Sequence, residues 1–239
     1  MQLALESNAF FWAIEYIATF CCGLLGGLCA VKKKYDFIAI LITVWLTGLG
    51  GGIIRDVLLG VFPPVGVSDR GLVITSLLTS VAVTVIYPEV DRLKWTMVAL
   101  DALALGLYAV NGTQKALIYH MSGMTAVFMG LITAIGGGLI RDMLLNDVPA
   151  VIRDSHWYTV PALIGSILTV FVTRAYQGGH ISFALQVAGD IAIVAFVVIL
   201  RVLSVRFDWK VPGAVKRHHM ILPLPEKDEG KDTKADADK

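Results

Sequence analysis

Two copies of one glycine-rich, charged motif lie inside apolar stretches of this sequence. Residues 47–65 read TGLGGGIIRDVLLGVFPPV, and residues 133–151 read TAIGGGLIRDMLLNDVPAV. The shared residues are Gly50, Gly51, Gly52, Arg55 and Asp56 in the first copy and Gly136, Gly137, Gly138, Arg141 and Asp142 in the second. An interior glycine weakens a helix by roughly 1 kcal/mol, and a charge at the centre of a membrane helix costs about 2.5–3.5 kcal/mol. Two copies of so unfavourable a combination indicate a function.

The glycine triplets have two interpretations. Gly48 and Gly52 form GxxxG, and Ala134 and Gly138 form the related pattern of two small residues, which lets membrane helices pack closely. Three adjacent glycines also cover more than one helix face. This favours a kink or a partly unwound segment that lines a cavity and offers carbonyl oxygens to a cation. The two interpretations can both hold, on different faces of one helix.

The Arg-Asp pairs also have two interpretations. They are either a salt-bridge network between helices or charges along a water-filled pathway, where intramembrane charges usually lie. Direct neighbours on a helix point about 100° apart, so Arg55 and Asp56 are not expected to pair with each other. Glu15 and Asp101 are the expected partners of Arg55 and Arg141, because each lies at the depth of its arginine. This pairing would leave the motif aspartates available to cations.

Two further charges inside the apolar segments have no counterpart in the other motif copy. Lys115 follows Asn111 by one helical turn. Its ammonium group either extends to the membrane interface or enters the pathway and closes it. Asp190 lies in the last apolar segment, where it has either a structural partner or a functional role.

The composition indicates which solvent surrounds these motifs. Hydrophobic residues make up 56% of the chain and charged residues only 16%, whereas a soluble domain carries roughly 25% charge. The apolar runs are continuous, which favours helices over barrel strands, and we predict an all-α membrane protein with seven transmembrane helices. The predicted spans are Phe10–Val31, Asp36–Val61, Gly71–Tyr87, Trp95–Gly112, Met121–Asn146, Trp157–Tyr176 and Phe183–Val205.

The two motifs are part of a longer internal repeat with an offset of 86 residues. The gapless alignment also places Glu15 on Asp101, Gly26 on Gly112 and Pro63 on Pro149. Repeat one, about 10–87, and repeat two, about 95–176, each hold three segments. Because three is odd, the second repeat enters the membrane from the opposite side, which makes the repeats inverted about an axis in the membrane plane. The seventh segment, about 183–205, stands outside the repeat.

The remaining parts of the chain set its orientation and exclude several functions. The more basic loops lie on the side of the C-terminus, so the positive-inside rule predicts an external N-terminus and a cytoplasmic C-terminus in the plasma (inner) membrane. Residues 1–209 are predicted to form the transmembrane domain and 210–239 a disordered cytoplasmic tail.

A net charge of +1 argues against a nucleic-acid partner. No removable signal peptide, metal site or enzyme nucleophile is expected, and Cys21, Cys22 and Cys29 are interpreted as packing residues.

The sequence resembles the bacterial and archaeal trimeric intracellular cation (TRIC) channel family, also catalogued as a "glycine transporter" domain family. The resemblance covers Glu15 to Pro212 and is carried by TGLGGGIIRDVLLGVFP, DALALGLYAVNGTQKAL, TAIGGGLIRDMLLNDVP and LRVLSVRFDWKVP. It implies a homotrimer in the lipid membrane, with one pathway per protomer lined by kinked second and fifth helices. It also implies passive conduction of monovalent cations, chiefly potassium, and matches the glycine triplets, both Arg-Asp pairs and Lys115 to pathway positions.

Three functions remain open at the level of sequence. The first is a cation channel with potassium as the permeant ion and no cofactor, a bound lipid being an open alternative. The second is a secondary transporter for glycine or a similar small zwitterion, because broken helices at a repeat interface suit such a site. The third is a structural membrane protein without flux, which the cost of the buried charges disfavours.

Overall fold

All regular elements of the structure are α-helices wherever the chain is described. The structure, a computed structural model, describes residues 9–85, 94–153 and 157–209. This confirms the predicted all-α class for those ranges. Their helices are α1 (Ala9–Lys32), α2 (Phe37–Leu58), α3 (Val65–Ser68), α4 (Arg70–Val85), α5 (Lys94–Ile118), α6 (Gly123–Leu144), α7 (Ala150–Arg153), α8 (Thr159–Gln177) and α9 (Phe183–Arg206). The predicted tail, 210–239, lies outside the described residues.

Six of these helices are long and apolar enough to cross a membrane: α1, α2, α5, α6, α8 and α9. The predicted third span corresponds to α4, which is apolar but has only 16 residues and ends at the boundary of the described range. The described part of the chain is therefore all-helical with six candidate membrane spans. The short helices α3 and α7 follow the two motif helices at equivalent positions of the repeat.

The largest difference from the predicted boundaries is at the end of α5. The prediction stopped at Gly112, where the sequence becomes polar, but the helix continues to Ile118. Asn111, Gln114 and Lys115 lie in this extension or just before it, and all three are buried. Their polar side chains face other helices rather than water, so the polar stretch does not mark the end of the helix.

α2 and α6 cross in direct contact at their glycine triplets. A Cβ atom on Gly51 would lie 2.3 Å from the carbonyl oxygen of Thr133, and one on Gly137 would lie 2.3 Å from that of Thr47. No side chain fits at these distances, so the two backbones are in direct contact. Because 47 meets 137 and 51 meets 133, the helices run antiparallel, as an inverted repeat requires.

The same helix contact occurs in each repeat next to this crossing. A Cβ on Gly26 of α1 would lie 2.6 Å from Oγ1 of Thr47, and one on Gly112 of α5 would lie 2.5 Å from Oγ1 of Thr133. These two glycines are equivalent in the repeat, as are the two threonines. The first two helices of both repeats therefore pack in the same way, and the motif helices are fixed against α1 and α5.

A hydrophobic core joins α1, α5, α6, α8 and α9 around this crossing. It includes Ala18, Leu105, Ala162 and Val197, all of which are buried. α9 follows the two repeats in the chain and packs against α5 and α8. The core thus holds α1 and α5, which carry Glu15 and Asp101, at a fixed position relative to the motif helices.

The orientation in the membrane stays a prediction that labelling tests. In a variant without Cys21, Cys22 and Cys29, a single cysteine at the exposed Ser68 of α3 should react with a membrane-impermeant reagent on intact cells. A single cysteine at Ala214 should react only after the membrane is permeabilised. The reverse labelling pattern would contradict the predicted topology.

Candidate functional site

The first motif ends in a buried charge cluster around Arg55. The Nη2 atom of Arg55 lies 3.1 Å from Oε1 of Glu15, which confirms the predicted contact between α2 and α1. Its Nη1 donates to Oδ1 of Asn111 on α5 at 2.6 Å. Its Nε donates to Oδ1 of Asp56 at 2.9 Å, so the prediction that these neighbours would not pair is wrong. The guanidinium group has donors along its edge as well as at its ends, and it therefore bonds three acceptors at once.

Asp56 has no oxygen left free in this cluster. Its Oδ1 also lies 2.8 Å from the ammonium group of Lys115, and its Oδ2 accepts the backbone N–H of Val65 at the start of α3 at 2.9 Å. Lys115 is only 3% exposed, so its side chain does not extend to the membrane interface. Two cations and two carboxylates balance in formal charge, and the expectation that Asp56 is available to cations is wrong for this conformation.

The second motif forms a similar cluster around Arg141. The guanidinium group lies 2.8 Å from Oδ1 of Asp142 and 3.7 Å from Oδ1 of Asp101, so the second predicted contact is also present. Asp142 accepts the backbone N–H of Ala150 at 2.7 Å, just as Asp56 accepts that of Val65. The donor differs by one position in the repeat because the residue equivalent to Ala150 is Pro64, which has no N–H.

Sequence reasoning missed two side chains beside the second cluster. The hydroxyl of Tyr158 donates to Oδ1 of Asp101 at 3.3 Å. The guanidinium carbon of Arg201, on α9, lies 4.6 Å from the centre of the Tyr158 ring, and Arg201 is buried. Arg201 could have been identified as an arginine inside the apolar segment 183–205. It has no equivalent arginine in the repeat, and the repeat was the basis on which the other charged residues were selected. α9 therefore supplies a cation near the second cluster, whereas α5 supplies Lys115 to the first.

The glycine triplets lie between the two clusters and remain helical. α2 and α6 are continuous α-helices through Gly50–Gly52 and Gly136–Gly138, and all six glycines are buried. The expectation of partly unwound segments is thus not met, whereas close packing of the triplets is observed. The carbonyl of Thr47 accepts a hydrogen bond from Sγ of Cys22 at 3.2 Å, and that of Gly48 accepts one from the hydroxyl of Tyr108. These two carbonyls have protein partners in this conformation.

Comparison with known proteins identifies the family. The model described as "Glycine transporter" matches residues 12–88 and again residues 98–174, and the two matches begin 86 residues apart. This is the offset of the internal repeat, so each repeat corresponds to one copy of the family's unit.

In the described ranges no group of three or more His, Cys, Asp or Glu side chains is placed to hold a metal ion.

Relatives and solved structures agree with this match. The inner membrane protein YadS of Escherichia coli strain K12 is 31% identical over 84% of this chain and 94% of its own length. A chain solved to explain conductance through TRIC cation channels is 32% identical with a TM-score of 0.70, covering 84% of this chain and 95% of its own. The TRIC trimeric intracellular cation channel orthologue from Rhodobacter sphaeroides is 26% identical with a TM-score of 0.74, covering 84% and 100%.

The chain therefore belongs to the prokaryotic TRIC family, to which the "Glycine transporter" model corresponds. It is a multi-pass membrane protein and not an enzyme.

Proposed function

We propose that this protein is a passive channel for monovalent cations, chiefly potassium. Each protomer of a homotrimer would contain seven membrane-spanning helices, arranged as two inverted repeats plus α9, and its own pathway along the α2–α6 crossing. The crossing of two glycine triplets with a charge cluster at each end is the observation that carries this proposal. The similarity to a chain that explains conductance through TRIC cation channels supports it.

In this proposal the two clusters lie at opposite ends of one path along the crossing. Arg55 lies four residues beyond Gly51 along α2, and Arg141 lies four residues beyond Gly137 along α6. Four residues correspond to about 6 Å along a helix axis. Because α2 and α6 are antiparallel, these displacements point in opposite directions. An ion moving along the crossing would meet the first cluster on one side of the glycines and the second cluster on the other.

The conformation described above corresponds to a closed pathway in this proposal. The backbones of α2 and α6 are in contact at Gly51 and Gly137, and the ammonium group of Lys115 forms an ion pair with the carboxylate of Asp56. Opening would require α2 and α6 to bend or separate at the glycines and Lys115 to leave Asp56. The carbonyls of Thr47 and Gly48, and Asp56 about 12 Å further along α2, would then supply oxygen ligands at successive positions of the path. Moving the lysine charge through the membrane field would couple opening to voltage, at about 2.3 kcal/mol per full charge per 100 mV.

A secondary transporter for glycine or a similar small zwitterion is the second candidate. The description of the matching family model favours it. Such a transporter would hold its substrate in an occluded site near the membrane midplane and would not show a continuous open path.

Single-channel recording of the purified full-length protein in planar bilayers separates the two candidates. We expect unitary currents in potassium solutions, with a reversal potential that follows the potassium gradient and no current when a large organic cation replaces potassium. An absence of unitary currents combined with glycine accumulation against a gradient in proteoliposomes would replace the channel by the transporter. Native mass spectrometry of the same preparation tests the trimer.

A further inference from the structure

A buried carboxylate outside both charge clusters lies on α9. Asp190 is 1% exposed and lies seven residues, about 10 Å, from the start of the helix at Phe183. Its Oδ2 atom accepts a hydrogen bond from Nε2 of Gln114 on α5 at 2.6 Å. Its Oδ1 atom is buried and has no hydrogen-bond partner. An ionised carboxylate in such a place is costly unless a positive charge compensates it.

The neighbouring helices bring no compensating cation to Asp190 within the described ranges. Lys115, the residue after Gln114 on α5, turns towards the first charge cluster. Arg174 of α8 is exposed. Arg201, the nearest described cation further along α9, lies eleven residues away and stacks over Tyr158. No protein side chain in the described ranges therefore balances a negative charge on Asp190.

A second oxygen on the same face of α9 is also unsatisfied. Gln186 precedes Asp190 by four residues, so their side chains are neighbours on one face of the helix. Gln186 is 2% exposed, and its Oε1 atom has no hydrogen-bond partner. Two adjacent buried side chains thus each carry one oxygen without a donor.

A third unsatisfied oxygen comes from α8 at the same level. A Cβ on Gly189 would lie 3.1 Å from Cγ1 of Val172, so the residue next to Val172, Thr173, lies at the depth of Gln186 and Asp190. Thr173 is 1% exposed, and its hydroxyl has no partner. Helical threonines usually donate to the carbonyl four residues earlier, as Thr169 does to Gly165 at 2.9 Å. Thr173 does not do this.

We propose that Asp190, Gln186 and Thr173 bind a monovalent metal cation, Na⁺ or K⁺, between α8 and α9. The three atoms Oδ1, Oε1 and Oγ1 are hard oxygen ligands, which alkali cations prefer, and each lacks a protein partner. One carboxylate supplies a single negative charge, which matches a monovalent ion. Ca²⁺, which usually takes several carboxylates, fits a set with one carboxylate poorly. The site lies outside the α2–α6 crossing, so the bound ion stabilises α9 against α5 and α8 and does not depend on conduction.

Thermal unfolding of the purified full-length protein in detergent tests this site. Choline chloride is replaced stepwise by NaCl or KCl at constant ionic strength, and Tm is measured. A ligand at concentration c that binds only the folded protein stabilises it by RT ln(1 + c/Kd), so Tm rises once the ligand concentration exceeds Kd. We expect Tm of the wild type to rise with Na⁺ or K⁺, Asp190→Asn to abolish the rise, and Thr173→Val to move the onset of the rise to higher cation concentration.

A matched charge removal elsewhere provides the control. Asp36→Asn removes the exposed carboxylate that caps α2, and asparagine caps helices equally well, so this variant should keep the wild-type response. A wild-type Tm that does not change with either cation would overturn the proposal. The unpartnered oxygens would then be explained by a protonated Asp190, or by a Gln186 amide turned so that it donates to Asp190. A cation response that survives Asp190→Asn would also overturn the proposal. If Asp190→Asn does not fold, the Na⁺ affinities of the wild type and of Thr173→Val are compared by sodium NMR line broadening. Equal affinities would contradict the site.

Discussion

Replacing Gly51 by alanine is expected to lower Tm of the protein by roughly 6–12 °C, the shift that corresponds to about 3 kcal/mol in a protein of this size. The added Cβ would lie 2.3 Å from the carbonyl oxygen of Thr133, which belongs to a helix backbone and cannot rotate away. α2 and α6 would have to separate along their whole contact. Gly137→Ala should have the same effect, because its Cβ would meet the carbonyl of Thr47 at the same distance.

Gly52→Ala is the matched control for this prediction. It makes the same change one residue further along α2, where the nearest atom to the added Cβ is Oε1 of Glu15 at 3.5 Å, an ordinary contact. The higher helix propensity of alanine should leave Tm unchanged or raise it slightly. Thermal unfolding of the purified variants measures both values. Equal values of Tm for Gly51→Ala and Gly52→Ala would show that the backbones of α2 and α6 are not in contact in the folded protein.

The internal repeat is what made much of the fold predictable from the sequence. The offset of 86 residues relates two copies of each motif. Glu15 and Asp101 could therefore be assigned as partners of Arg55 and Arg141 from their depth in the membrane and their equivalent positions in the repeat. The same symmetry required antiparallel motif helices, which the structure shows at the α2–α6 crossing. The boundaries of α1, α8 and α9 lie within two residues of the predicted ones, because long apolar runs define them.

Contacts between the repeats were not predictable in this way. Lys115 and Asn111 join the first cluster because α5, from repeat two, packs against α1 and its side chains reach α2. Their repeat equivalents are Cys29 and Leu25. A single sequence contains no signal for such an asymmetric contact. The glycine triplets were expected to kink or partly unwind, with close packing as the alternative. The helices are continuous through them, and contact between the two backbones accounts for this. Tertiary packing decided the outcome against local propensity.

The second large effect is expected when the balance of charge around Arg55 is broken. Asp56→Asn would leave Arg55 and Lys115 with Glu15 as the only carboxylate of a fully buried cluster. Removing one partner of a buried ion pair typically costs 3–5 kcal/mol, about 6–20 °C in Tm for a chain of this length. Lys115→Met breaks the balance in the opposite sense and should also lower Tm.

The double variant separates charge balance from loss of packing. Asp56→Asn with Lys115→Met leaves one arginine and one glutamate, so the formal charges balance again and most of the lost stability should return. Lys33→Met serves as the control: Lys33 lies 2.7 Å from Asp147, about as close as Lys115 to Asp56, but the two side chains are 32% and 42% exposed. Lys33 also donates to the carbonyl of Leu145, so the variant removes one further hydrogen bond. Exposed pairs contribute about 0–1 kcal/mol, so this variant should change Tm little.

Bilayer recording of Lys115→Met connects the same cluster to the proposed conduction. If the ammonium group closes the pathway by occupying Asp56, its removal should increase the open probability and weaken the voltage dependence, because the charge that moves in the field is gone. The double variant should show the same weak voltage dependence with a lower conductance, since asparagine lacks the charge that attracts a cation to this end of the crossing. Unchanged gating in both variants, together with the predicted changes in Tm, would assign Lys115 a purely structural role and place the gate elsewhere along α2 and α6.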